Sequence, residues 1–159
     1  MAKVLLTYYS RTGNTERMAE IIAETIRAHN HDVMMKEVTE TDPEEMLDAD
    51  GIIIGSPTYY GQMAAEVKSF IDQSVKYHGR LDGKAGGAFT SSGGRGGGNE
   101  TTITGILMSM LVHGMIIQGY PGGDHYGPVA VQKPDQRSEK ECRRFGERFA
   151  SLLDRLAKS

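Results

Sequence analysis

Short apolar runs alternate along this chain with longer stretches in which apolar residues recur every three or four positions. Residues 3–8 are a compact apolar run that stops at polar Ser10, the pattern of a buried strand. From Thr15 onward Met18, Ile22 and Ile26 fall four apart, the stripe of an amphipathic helix. Residues 33–38 read as a second strand. Asp42-Pro43-Glu44-Glu45 then offers a cap, a first-turn proline and early acids for a short helix. Residues 52–55 form a third strand, Val67, Ile71 and Val75 mark a third helix, and residues 85–90 a fourth strand. Ile103, Leu107, Met110 and Leu111 line a fourth helix, followed by a fifth strand at 115–118. The last helix opens with Ser138-x-x-Glu141 as a capping box and carries Cys142, Phe145, Phe149, Leu152 and Leu156 on one face. Strand and helix alternate five times, which predicts a doubly wound parallel α/β sheet with helices on both faces. Three strands, the first, third and fourth, end in conspicuous loops. In a parallel sheet these ends point the same way, so one ligand can touch all three.

Composition narrows the function. A chain of 159 residues suits one domain, placed here at 1–159, and a formal net charge of −3 gives no basic surface for nucleic acid. No apolar run approaches the ~20 residues of a membrane span. The first residues enter a strand pattern without the apolar stretch of a signal peptide. A lone cysteine excludes an internal disulfide, and a cytoplasmic setting is expected. Seven of the 20 glycines fall between Gly86 and Gly98, where backbone is expected to turn sharply or approach something closely.

The first candidate for chemistry is Ser10-Arg11-Thr12-Gly13-Asn14-Thr15, between strand and helix. A helix N-terminus carries unpaired N–H groups and positive partial charge, so hydroxyls and a glycine there suit a phosphate. The same residue types also make a well-capped polar turn. The segment is neither a Walker loop nor a dinucleotide glycine fingerprint.

Ser-x-Thr-Gly-Asn-Thr at the end of strand one resembles the FMN phosphate loop of flavodoxins. Gly55-Ser56-Pro57-Thr58-Tyr59-Tyr60-Gly61, with Met63 and Phe70-Ile71-Asp72, resembles the region after strand three in WrbA-type NAD(P)H:quinone oxidoreductases. Residues 91–103 resemble that group's glycine-rich loop and the helix it opens, with one extra residue, and His113-Gly114-Met115-Ile116-Ile117 continues the likeness. The resemblance implies a flavodoxin-like sheet of order 2-1-3-4-5 and an FMN cofactor. Ser10, Arg11, Thr12, Gly13, Asn14 and Thr15 would hold the phosphate. Pro57, Thr58, Tyr59, Tyr60 and Gly61 would lie along the isoalloxazine. Ser91, Ser92, Gly93, Gly94, Arg95, Gly96 and Gly97 would close around its other edge and the ribityl chain. It also implies electron transfer from NAD(P)H through FMN to a quinone or similar acceptor, with no side chain as acid or base. The alternative is a flavodoxin-type carrier served by a redox partner protein. Assembly stays open, since the quinone reductases form homo-oligomers and flavodoxins are monomers. Three features depart from the patterns: the chain is shorter than the quinone reductases, Val112 stands where they carry a first histidine, and Arg95 stands in a loop that flavodoxins make acidic.

The other polar candidates read as structural. His113 sits near a helix C-terminus, where the dipole favours a cation. Cys142 lies on an apolar stripe as a buried, inert thiol. His125 and Tyr126 fall in the long connection 119–135, from which His125 could reach over the cofactor. No His/Cys/Asp cluster has metal-ligand spacing.

Overall fold

The computed structural model describes residues 1–158. In chain order the elements are β1 (Lys3–Tyr8), α1 (Asn14–Ala28), β2 (Asp32–Glu37), β3 (Gly51–Tyr59), β4 (Gln62–Met63), α2 (Ala65–Gln73), β5 (Ala85–Ser92), α3 (Asn99–Val112), β6 (Ile116–Ile117), β7 (Val129–Val131) and α4 (Gln136–Leu156). The sheet runs β2-β1-β3-β5-β6, with β7 also on β5 and the two-residue β4 antiparallel to β3. Every other pairing is parallel. The expected order of a five-stranded flavodoxin-like sheet is therefore observed.

Alternation along the strands builds a core on each face. Val4, Leu6, Tyr8 and Ile53 point to the side covered by α1 and α4, where Met18, Ile22, Ile26, Phe149 and Leu153 meet them. Leu5, Ile52 and Ile54 point the other way, onto Val67 and Phe70 of α2 and Ile103, Ile106 and Met110 of α3. Burying both faces explains why the central strands read as continuous apolar runs.

Four expectations need correction. The fifth strand is split. Ile116–Ile117 pairs with Ala85 and Gly86 at the start of β5, and Val129–Val131 with Thr90–Ser92 at its end. The chain between them is folded back on α4, where the guanidinium groups of Arg144 and Arg148 both pack on the Tyr120 ring. The second correction concerns the cap of α4. Asp135, not Ser138, is the N-cap: its side chain accepts from the Ser138 N–H, and the Ser138 hydroxyl accepts from the Asp135 N–H. Third, the segment after Asp42 is a 3-10 helix, Pro43–Asp48, although Asp42 caps it and Pro43 opens it as expected. Fourth, Val75 and Leu111 were expected on buried stripes but are 71% and 59% exposed. Val75 falls in a 3-10 turn after α2, and α3 is apolar on both its inner and outer faces.

Candidate functional site

The C-terminal ends of β1, β3 and β5 open on one cleft of about 210 Å³, lined by Arg11, Thr12, Asn14, Thr15, Pro57, Thr58, Tyr59, Ser91, Ser92, Gly93 and Gln132. Arg11 is the one charged lining residue, and no carboxylate lines the cleft. Hydroxyls, an amide and a cation select an anion or a neutral polar ligand over a cation.

The floor is the junction of β1 with α1. Gly13 caps α1 at φ 92°, in the left-handed region that lets the chain turn from strand to helix within a few residues. The Ser10 hydroxyl accepts from the N–H groups of Gly13 and Glu16 at 3.1 and 3.2 Å. The N–H groups of Asn14 and Thr15 belong to a first helical turn, which has no intrahelical acceptor, and they face the cleft's end of the helix dipole. Thr15 is buried, and its hydroxyl lies 2.9 Å from that of Ser91, tying α1 to the end of β5.

The opposite wall is the hairpin of β3 and β4. Its two central residues, Tyr60 and Gly61, both have positive φ (51° and 76°), the signature of a type I′ turn. Tyrosine is a strained choice there, and the side chain is fully exposed at the tip. Tyr59 is 36% exposed and turns toward the cleft. Buried Thr90 donates to the Ser56 carbonyl at 2.7 Å, so the 2.8 Å contact between the Thr58 and Thr90 hydroxyls has Thr58 as donor. This leaves Thr58 with acceptor capacity toward a ligand. The hairpin tip is locked to α3. A Cβ on Gly98 would come within 2.2 Å of the Gly61 Cα, and the Thr101 hydroxyl donates to the Gly61 carbonyl at 2.6 Å.

Of the expected site residues, those from all three loops line the cleft together. Ser10 and Gly13 shape its floor from within the turn. Tyr60 and Gly61, on the hairpin tip, and Gly94, Arg95, Gly96 and Gly97, on the outer arc of the glycine-rich loop, do not line it. His125 is not brought to the cleft. Its Nδ1 lies 2.8 Å from the Tyr120 carbonyl, and its ring borders a separate cavity against α4. His113 is structural: its Nε2 meets the Ser74 hydroxyl at 2.8 Å, and burial and His78 lower its pKa. Cys142 is buried, and burial pushes its thiol up to about 12. Among the described residues no His/Cys/Asp/Glu group could hold a metal.

Sequence reasoning missed Gln132. It follows β7 with φ 61°, its N–H donates to the Ser92 carbonyl at 2.6 Å, and it borders the cleft beside Gly93. A single glutamine after an unrecognised three-residue strand carries no pattern that could have marked it.

Comparison with known proteins defines the family. Residues 5–108, more than half the chain, match the family model described as Flavodoxin domain. The chain belongs to the flavodoxin family. A flavodoxin of Aquifex aeolicus is 43% identical over 162 residues, covering 96% of this chain and 88% of that protein. A protein of Archaeoglobus fulgidus named NAD(P)H dehydrogenase (quinone) is 32% identical, covering 98% of this chain and all of that one. The solved structure of a flavodoxin from the domain Archaea superposes with a TM-score of 0.80 at 29% identity, over 96% of this chain and 99% of that one. Flavodoxin family membership makes this a redox protein and implies FMN as its cofactor. The cleft fits that group: first-turn amides, hydroxyls and Arg11 at one end suit a phosphate, and the stiff wall of Pro57 and Tyr59 at the other suits a flat ring. No helix among the described residues is long and apolar enough to cross a membrane.

Proposed function

We propose that this protein is an FMN-dependent oxidoreductase that passes electrons from NAD(P)H to a quinone or similar acceptor. The observation that carries the reading is the single cleft joining the α1 N-terminus to the β3–β4 hairpin and the end of β5, with one cation and no carboxylate on its walls. Bound FMN would supply the hydride and electron chemistry.

The chain's own residues bind and orient. Ser10, Arg11, Thr12, Gly13, Asn14 and Thr15 hold the phosphate with backbone N–H groups, hydroxyls and a guanidinium. Pro57, Thr58, Tyr59, Tyr60 and Gly61 form the wall along the ring. Ser91, Ser92 and Gly93 close the other side, with Gly94, Arg95, Gly96 and Gly97 as an exposed arc above them. No histidine or carboxylate lines the cleft, so no side chain there is placed to shuttle a proton near neutral pH. The open mouth would leave room for a donor and then an acceptor to enter in turn.

Relatives named NAD(P)H dehydrogenase (quinone), one of them matched along its whole length, support this reading. The 43% identity to a flavodoxin supports a second one, a carrier without NAD(P)H activity of its own. Anaerobic mixing of the FMN-loaded protein with NADH or NADPH separates them. Bleaching of the flavin absorbance within seconds, reversed by a quinone, is the expected result. A flavin untouched by either nucleotide, yet reduced through a separate reductase, would overturn the enzyme reading and leave the carrier.

A further inference from the structure

Directly behind the expected phosphate loop lies a carboxylate with no counter-ion. Glu37 ends β2 in register with Tyr8 of β1, two residues before Ser10. Its Oε2 is buried and has no hydrogen-bond partner among the described residues. The groups that face it are anions or neutral polar groups. From β1 comes the Tyr8 phenol, which donates to Glu16 Oε1 at 3.2 Å. From α1 comes Glu16; from the turn after β2 comes Glu40; and from the loop itself comes the Ser10 backbone amide. Among the described residues no cation pairs with Glu37: Arg11 lines the cleft, Lys36 holds Glu45 at 2.7 Å, and Arg17 lies 3.0 Å from Glu20 and 3.7 Å from Glu139.

A loop built for a phosphate ester thus sits on a patch of uncompensated negative charge. A dianion placed against Ser10–Thr15 is repelled by an ionised Glu37. Neutralising Glu37 removes that repulsion while its other oxygen still faces the Ser10 amide. We propose that Glu37 is a positioning residue whose protonation is coupled to occupation of the phosphate loop, so that binding a phosphate ester draws a proton onto its carboxylate. The balance is simple: ionised protein, ligand dianion and one solvent proton give a complex with Glu37 neutral. Burial, with Glu16 and Glu40 nearby, raises the carboxyl's pKa and brings this exchange closer to neutral pH. The inference rests on the FMN reading of the cleft.

The test compares the wild-type protein with Glu37→Gln, which keeps an oxygen facing the Ser10 amide and removes the charge. FMN-free protein is titrated with FMN and, separately, with riboflavin, which lacks the phosphate, between pH 5.5 and 8.5. Flavin fluorescence reports binding. The second ionisation of free FMN, near pH ~6, affects both proteins alike, so the ratio of their Kd values isolates Glu37. FMN should bind the variant about three- to tenfold more tightly than wild type at pH 8.5 and about equally at pH 5.5. Riboflavin should show no difference at any pH. A ratio for FMN that does not change with pH overturns the proposal. So does an equal change for riboflavin, which would mean that Glu37 acts on the cleft's shape. Wild-type protein that binds FMN at no pH overturns the cofactor reading itself. Glu16→Gln, at an exposed position, is the second variant and should shift the FMN ratio in the same sense by a smaller factor.

Discussion

Gly13 caps α1 on the floor of the cleft and Gly98 caps α3 behind the hairpin tip, with φ of 92° and 105°, yet alanine at these positions should have very different consequences. For both, an L side chain at positive φ costs roughly 1–2 kcal/mol. At Gly13 that is the whole penalty, because a Cβ there would meet no atom within 4 Å. At Gly98 the Cβ would lie 2.2 Å from the Gly61 Cα and 3.0 and 3.2 Å from its carbonyl carbon and nitrogen. Carbon atoms at rest stand about 3.5–4 Å apart, so hairpin and helix must separate by roughly 1.5 Å. That movement breaks the 2.6 Å bond from Thr101 to Gly61, worth about 1 kcal/mol, and adds an overpacking cost of about 1–3 kcal/mol. Gly98→Ala should therefore destabilise by about 3–6 kcal/mol in all, against about 1–2 for Gly13→Ala. Urea denaturation of the FMN-free proteins, followed by circular dichroism, measures both on one footing if each unfolds in a single transition. Losses within about 0.5 kcal/mol of one another would refute the claim that the hairpin is clamped against α3.

Three further expectations follow from buried or capping groups. The Cys142 thiol, buried and pushed up to about 12, should not react with a thiol reagent at pH 8 in the folded protein and should react fully in urea; rapid reaction when folded would contradict its placement. Burial, then the Glu16 carboxylate, pushes the Tyr8 phenol up to about 12. Because the folded chain then keeps a proton that the unfolded chain loses at its ordinary value near 10, stability should fall as pH rises from 10 to about 12. Ultraviolet titration should show a late tyrosine that Tyr8→Phe removes, and an unchanged curve in that variant would refute it. Asp135→Ala should cost about 1–2 kcal/mol in urea denaturation through loss of the α4 cap, and no loss would return the cap to Ser138.

Much of this architecture is legible in the sequence because two-sided burial writes itself as apolar runs. Residues 3–8 and 52–55 could hardly be anything but central strands, and Met18, Ile22 and Ile26 had to face a core. What stayed hidden depends on register or on a single dihedral. Val129–Val131 is too short to show alternation, and only its bonds to Thr90–Ser92 make it a strand. Gln132 became a cleft residue through that pairing. The hairpin turn at Tyr60-Gly61 lacks the Asn-Gly or Asp-Gly signal that usually marks a type I′ turn. At α4 the Ser138-x-x-Glu141 spacing pointed to a start three residues later than the observed cap, because Asp135 with Ser138 is not the usual Ser/Thr-x-x-Glu/Gln pattern. The loop 10–15 was readable as a phosphate cradle, but nothing in its residues disclosed the unpaired carboxylate of Glu37 behind it, which comes from β2.

The most direct test of the cofactor site is a titration of FMN-free protein with FMN, against riboflavin as the analogue without a phosphate. One FMN should bind per chain, at least about a hundredfold more tightly than riboflavin, as expected when a phosphate engages a helix N-terminus, hydroxyls and Arg11 together. Equal affinity for the two flavins would contradict the phosphate role of Ser10–Thr15, and no binding of either would contradict the cofactor assignment.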